Sequence, residues 1–331
     1  MKKLFFLLIL AVLGFGYAQT CTDGFRTFTH FGGESCVPED PQRIVSLSDM
    51  EMTLILADLG QTDRIVGSAG RVLEGQPPFL RGPRDLLGLD YTNTDIEFVS
   101  TDDFEGIAAL EPDLIVGTNW NSNELLQYEA IAPTVLLQTH ADNYFEVIGQ
   151  MADLVSETEQ FEARRTAYEA RIAQAQELIP NASDITVTML LPAPWNGTFE
   201  LYERHFALSQ VIEDIGFAET PEVRALLEDA VTNDLWMDLS PERMAETDAD
   251  FIVSTYEPNF PSQATPDLIR ANWESIVPGY CDFLRACQEQ QIIFVERTPV
   301  YTTSFASLDA ALTAITNHIG ERAFTKITEL Q

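Results

Sequence analysis

TDDFEGIAALEPDLIVGT, residues 101–118, comes back in outline as LSPERMAETDADFIVST, residues 239–255. At an offset of 137 positions, Glu105 falls on Glu242, Ala108 on Ala245, Asp113 on Asp250, Ile115 on Ile252 and Thr118 on Thr255. Each copy reads as a short helix, an acidic turn and an apolar strand, one unit of helix-covered sheet. The match includes a glutamate at the helix start, a position that packing does not require to be polar. Two such units far apart in one chain point to two lobes of the same α/β kind.

The surrounding sequence extends both units. RIVSLS, MEMTLILADLG and RIVGSAG follow one another from Arg43, alternating β-rich runs with helical ones. Strands are predicted at Ile44–Leu47, Ile65–Gly67, Leu114–Gly117 and Thr134–Leu137, each apolar on both faces as in a mostly parallel sheet. After Pro180 the alternation resumes with ITVTMLL, HFALSQVIEDIG, DADFIVST, QIIFVE and a last helix over Leu308–Ile319. The expected fold is therefore α/β, with a first lobe at 41–142, a second at 180–331 and an N-terminal extension at 19–40.

Residues 143–179 hold only helical material. Ser156 with Glu159 reads as a capping box at a break within it. Beyond the break Phe161, Tyr168, Ile172, Ala175 and Ile179 form one apolar stripe on a charged helix. Such a helix spans about 30 Å, enough for a stiff spine that joins two lobes and leaves a ligand cleft between them.

MKKLFFLLILAVLGFGYAQ, residues 1–19, has Lys2 and Lys3, a short apolar core and Gly16 two positions before Ala18, the pattern of a signal peptide cut after residue 18. Thr20 and Ala18 fit a lipid-anchoring signal at Cys21 poorly, which favours a soluble periplasmic protein. Cys21, Cys36, Cys281 and Cys287 allow three pairings, and two local bridges, Cys21–Cys36 and Cys281–Cys287, suit the spacing best. The net charge of −33 excludes nucleic acid as a partner and repels anions, so any anion site must rest on locally placed arginines.

Together, PQRIVSLS through DRIVG (41–67), FEGIAALEPDLIVG with YEAIAPTVLL (104–137) and LSPERMAETDADFIVS (239–254) resemble the periplasmic binding proteins of ferric-siderophore, haem and cobalamin importers. The resemblance covers 41–320. One departure is LLPAPWNGTFELYERHF, rich in proline and aromatics where that family often has glycines. The resemblance implies that Glu105 and Glu242 dock on arginines of a membrane permease. Asp102 or Asp103, and Ser240 with Pro241, would cap the two helices that present them. The alternative use of both glutamates is simply to complement helix dipoles.

In open α/β sheets ligands bind beyond the carboxyl ends of strands. Arg71, Trp120, Trp195, Tyr256, Arg297 and Tyr301 follow predicted strands in this way, and Tyr202 and Arg204 are weaker candidates because ELYERHF could equally open the next helix. Aromatic area plus guanidinium charge suits a large anionic chelate, hence a ferric siderophore. Haem, cobalamin and a free metal ion are the rival ligands. The histidines His30, His140, His205 and His318 are too scattered for a three-histidine site, although His140 follows a strand. No nucleophile elbow, P-loop or zinc-protease motif occurs, which leaves a carboxylate-dependent hydrolase as the enzymatic alternative. The expectation is a monomeric carrier, not an enzyme, without a cofactor, partnered by a chelate and an importer permease.

Overall fold

The computed structural model describes residues 21–139, 143–229, 235–320 and 322–327, so the signal segment and His140 lie outside the described residues. A hairpin of β1 (Phe25–His30) and β2 (Gly33–Pro38) comes first. Sequence periodicity did not mark it. It is fastened by its own bridge, Cys21–Cys36, and by bonds to a neighbouring strand: the Phe31 amide donates to the Leu136 carbonyl and the Ser35 hydroxyl to the Thr134 carbonyl. His30 Nδ1 accepts from the Leu136 amide, so this histidine belongs to the scaffold.

The first sheet contains β3 (Ile44–Ser46), β4 (Ile65–Ser68), β5 (Glu97–Phe98), β6 (Leu114–Thr118) and β7 (Thr134–Leu137), in the order β5-β4-β3-β6-β7 and parallel throughout. The second holds β8 (Val187–Ala193), β9 (Thr198–Tyr202), β10 (Trp236–Leu239), β11 (Phe251–Tyr256) and β12 (Ile292–Glu296), in the order β10-β9-β8-β11-β12. Strand for strand the two orders are the same. The internal echo sits where this symmetry requires, since the 137-residue offset carries the first residue of β6, Leu114, onto the first residue of β11, Phe251.

The second sheet is only partly parallel. β9 runs antiparallel to β8 and to β10, while β11 is parallel to β8 and β12. The cause is local: Trp195-Asn196-Gly197 closes a tight turn, with Gly197 at φ 68, a left-handed conformation that glycine adopts without strain. β3 and β4 are instead joined through a helix, as a parallel pair must be. The segment that departed from the family pattern is thus a hairpin, and ELY closes β9; the next helix starts only at Phe206.

Four short helices serve the first lobe: α1 (Leu54–Asp58), α2 (Arg81–Leu87), α3 (Phe104–Ala109) and α4 (Leu125–Glu129). The bridge consists of α5 (Tyr144–Leu154) and α6 (Thr158–Leu178). The second lobe adds α7 (Phe206–Ile215), α8 (Pro221–Asp229), α9 (Pro266–Ile276), α10 (Arg285–Gln288), α11 (Arg297–Val300) and α12 (Phe305–His318). Cys281–Cys287 closes a short loop ahead of β12.

Ser156 does not cap α6. It ends α5 in the left-handed region at φ 62, with Glu157 N donating to Ala152 O (2.7 Å) and Ser156 N to Asp153 O (3.2 Å), the paired bonds of a helix C-terminus. Its hydroxyl donates to the Glu39 carbonyl, and α6 starts from Glu157 without a side-chain cap. The stripe on α6 is buried as the spacing predicts: Phe161, Tyr168, Ile172, Ala175 and Ile179 all lie inside. They join a single apolar cluster that runs from Ile44 and Leu114 through the bridge to Val187, Phe251 and Leu308. At about 1.5–3 kcal/mol per large side chain, this stripe helps to hold the lobes together.

Polar contacts fix the register. Asp58, at the end of α1, receives Arg164 of α6 (2.8 Å) and the Ala306 amide at the start of α12 (3.1 Å). Tyr144 of α5 joins the same junction, accepting from the Ser304 amide at 2.8 Å. One carboxylate therefore ties both lobes and the bridge together.

Candidate functional site

A cavity of about 470 Å³ opens between the lobes, lined by Met50, Arg71, Phe79 and Arg81 from the first and Trp195, Glu257, Asn259, Phe260, Gln263, Arg297 and Tyr301 from the second. Its size is that of a small-molecule site. Most of the lining comes from the carboxyl ends of strands: Met50 follows β3, Arg71 β4, Trp195 β8, Glu257 to Gln263 β11, and Arg297 with Tyr301 β12. Because both sheets point these ends at the same gap, one ligand there would touch both lobes.

Three guanidiniums face this space. Asp49, which is 1% exposed, holds Arg81 through two side-chain bonds of 3.0 and 2.6 Å and also accepts its amide. Beside it Glu51 accepts from Ser48, and burial pushes its carboxyl above the usual range. Arg71 lies over the Phe260 ring at 5.6 Å, a contact that reaches from one lobe to the other. Arg297 stacks on Tyr301 at 4.2 Å and donates to the Tyr202 hydroxyl at 3.3 Å. Glu257, held by the Thr298 hydroxyl, offsets part of this charge. Three guanidiniums are thereby gathered at one cavity of a chain that carries 52 acidic and 19 basic residues.

The structure brings together four of the eight residues expected at the ligand: Arg71, Trp195, Arg297 and Tyr301. Tyr202 is 3% exposed and stands behind Arg297. Arg204 lines a separate cavity of about 340 Å³ with Glu203, Glu213 and Glu219, beyond Phe206, whose ring meets Tyr301 at 4.7 Å. Trp120 is 69% exposed on the turn after β6, outside the cavity lining. Tyr256 ends β11 and packs into the second lobe's own core. Arg81, Phe79 and Phe260 were missed. Phe260 was within reach of the strand-end rule, only four residues past β11, whereas Arg81 is placed by Asp49, 32 residues earlier, and carries no local signal.

His205 is fully buried between Tyr202 (4.7 Å) and Tyr301 (4.6 Å), and burial together with nearby Arg297 keeps its ring neutral. Among the described residues no three His, Cys, Asp or Glu side chains converge to hold a metal ion. Glu105 is exposed in the first turn of α3, where Asp103 accepts from the Gly106 amide at 2.9 Å and so is the cap. Glu242 is exposed in the first turn of a 3₁₀ helix, Pro241–Thr247, and the Ser240 side chain makes no capping bond there. The two glutamates follow β5 and β10, the corresponding edge strands of the two sheets.

Two like lobes, a helical bridge and an arginine-aromatic cleft define a two-lobed solute-binding protein. Residues 44–263 match the periplasmic binding protein family, and the chain belongs to it. That is a family of solute carriers and not of enzymes. No helix among the described residues is long and apolar enough to cross a membrane. The fold is similar to that of Staphylococcus aureus SirA complexed with staphyloferrin B, at TM-score 0.70 and 19% identity over 89% of this chain and 98% of that one. It is also similar to the FhuD protein from S. pseudintermedius (TM-score 0.66, 21% identity, 89% and 97% covered). A third likeness is to a periplasmic binding protein component of a Fep/Fec-like ferrichrome ABC transporter from Bacillus subtilis (0.69, 16%, 89% and 100%). No curated protein sequence matches the chain.

Proposed function

We propose that the chain captures a ferric siderophore in the cleft and delivers it to the permease of an ABC importer. The observation that carries this reading is the lining itself, in which Arg71 and Arg297 come from opposite lobes and share one cavity with Trp195, Phe260 and Tyr301. Aromatic faces give contact area to a bulky chelate and guanidiniums give charge-assisted bonds to its oxygen donors. The relatives with bound ligands include complexes with staphyloferrin B and ferrioxamine B, which supports the same ligand class here. In this reading residues 1–18 direct export to the periplasm, and the mature chain acts as a monomer with no resident cofactor. The continuous core through α6 limits hinge motion, so capture involves small lobe rotations and no large closure.

Titration with ferric catecholates, ferric hydroxamates, haem and cobalamin, followed by tryptophan emission, tests the ligand class. Quenching by a ferric siderophore is expected, and it should vanish in Trp195→Phe and persist in Trp120→Phe, since only Trp195 lines the cavity. Saturable quenching by haem or cobalamin alone would replace the siderophore with that ligand.

For delivery, Glu105 and Glu242 present carboxylates on the two lobes where a permease arginine can take them in a bidentate pair. Glu105→Ala with Glu242→Ala is expected to leave chelate affinity within about twofold, since neither residue lines the cleft, while lowering iron uptake by reconstituted transporter roughly tenfold or more. Unchanged uptake would return both residues to the role of dipole partners.

A further inference from the structure

The cleft arginines differ in what holds them. Arg81 is clamped by the Asp49 carboxylate, an ion pair that cancels most of its charge. Arg297 makes no carboxylate pair among the described residues and is held by phenols instead. Its Nη2 donates to the Tyr202 oxygen at 3.3 Å, and the Tyr202 hydroxyl in turn donates to Glu200 Oε2 at 3.0 Å. Both of these partners are inside: Tyr202 is 3% exposed and Glu200 9%. The phenol is also fixed sideways, by His205 at 4.7 Å and Trp236 at 5.5 Å. Tyr202 therefore stands too deep to touch a ligand in the cleft, yet it sets where the Arg297 guanidinium lies.

We propose that Tyr202 and Glu200 are positioning residues that hold Arg297 toward the cleft through an ordered relay, and thereby make the cleft prefer chelates that carry net negative charge. The donors and acceptors run one way, guanidinium N–H to phenol oxygen and phenol O–H to carboxylate, so each bond polarises the next and fixes the hydroxyl rotor. A carboxylate in direct contact would also orient Arg297, but it would cancel the charge the ligand needs. Glu200 acts from one residue further back, where its opposing field at the ligand is diluted by distance. Phenol-held arginine thus keeps both a fixed direction and its charge. The inference rests on the reading of the cleft as the chelate site.

The test compares wild type, Tyr202→Phe and Glu200→Gln, each checked for unchanged fold by circular dichroism. The probes are a ferric tris-catecholate, which is anionic, and a neutral ferric tris-hydroxamate. Tyr202→Phe is expected to weaken the anionic chelate roughly 5- to 20-fold and the neutral one less than about twofold, with a shallower salt dependence. Glu200→Gln should give a smaller loss with the same selectivity. Equal losses for both chelates, or no loss for either, would overturn the proposal, because a merely structural tyrosine does not discriminate charge. A second readout uses no chelate: in arginine-labelled protein, the Arg297 Nη2–H resonance, assigned through Arg297→Lys, should exchange with water about tenfold faster in Tyr202→Phe. Should wild type bind neither chelate, the siderophore reading fails while this exchange measurement still decides the relay, and unchanged exchange would sink it.

Discussion

Arg297→Ala is expected to lower affinity for an anionic ferric chelate on the order of 100-fold, about 3 kcal/mol. The magnitude follows from where the group sits. Arg297 is half-buried against Tyr301 and bonded to Tyr202, so its orientation is set before any ligand arrives and little entropy is lost on binding. A surface arginine in water would be worth roughly 0.2–1 kcal/mol. Removing Arg297 also takes away the positive charge that acts on Glu200, which adds repulsion of the anion to the loss of attraction. Calorimetric titration of the variant reads the effect directly, and the loss should shrink for a neutral chelate. Arg204→Ala supplies the contrast: the residue lines another cavity, and its removal should shift affinity by less than about twofold.

The second large effect concerns the junction. Arg164→Ala is expected to destabilise the chain by about 2–3 kcal/mol, toward the low end for a broken buried pair because Arg164 itself is 31% exposed at its side chain. The cost falls on Asp58, whose side chain is 4% exposed in the intact pair and which keeps only amide donors. The sign with pH is fixed by the same geometry. Burial raises the Asp58 carboxyl above its ordinary 3.8, and Arg164 and the Ala306 amide pull it back down. Without Arg164 it rises further, so the folded state holds its proton to higher pH than the unfolded chain does. A raised carboxyl of this kind weakens stability as pH climbs from the ordinary value through the raised one, and its penalty fades below the ordinary value. The deficit of Arg164→Ala should therefore be full near neutrality and smaller at acid pH, read as urea midpoints at unchanged slope. The variant should also show a larger change in radius of gyration on binding chelate, since the ion pair that ties α1 to α6 is gone.

Much of this architecture was legible because it rests on local pattern. Runs such as Leu114–Gly117 and Thr134–Leu137 are apolar on both faces and could only be covered strands, and the α6 stripe from Phe161 to Ile179 declared a buried face over five turns. The echo placed Glu105 and Glu242 at matching positions of the two lobes. What stayed hidden depends on pairings between distant residues. β5 is two residues long, too short for a periodicity to register, and β10 has Asp238 inside its four residues, which breaks the apolar run. TFELY, residues 198–202, reads equally as the start of the next helix, and the direction of β9 was decided by one turn at Gly197. At the site, the strand-end rule found the residues nearest to strand ends and overreached where a side chain turned away: Trp120 to solvent and Tyr256 into its own core. Arg81 was invisible because its position is a consequence of Asp49, and Ser156 misled because its hydroxyl had a better partner in Glu39.

Location of the iron is the decisive observation. Crystals grown with a ferric tris-catecholate, measured at the iron absorption edge, should show one anomalous peak between Arg71 and Arg297, with the chelate against Trp195 and Tyr301. An anomalous peak in any other part of the molecule, or none at saturating chelate, would contradict capture in the cleft.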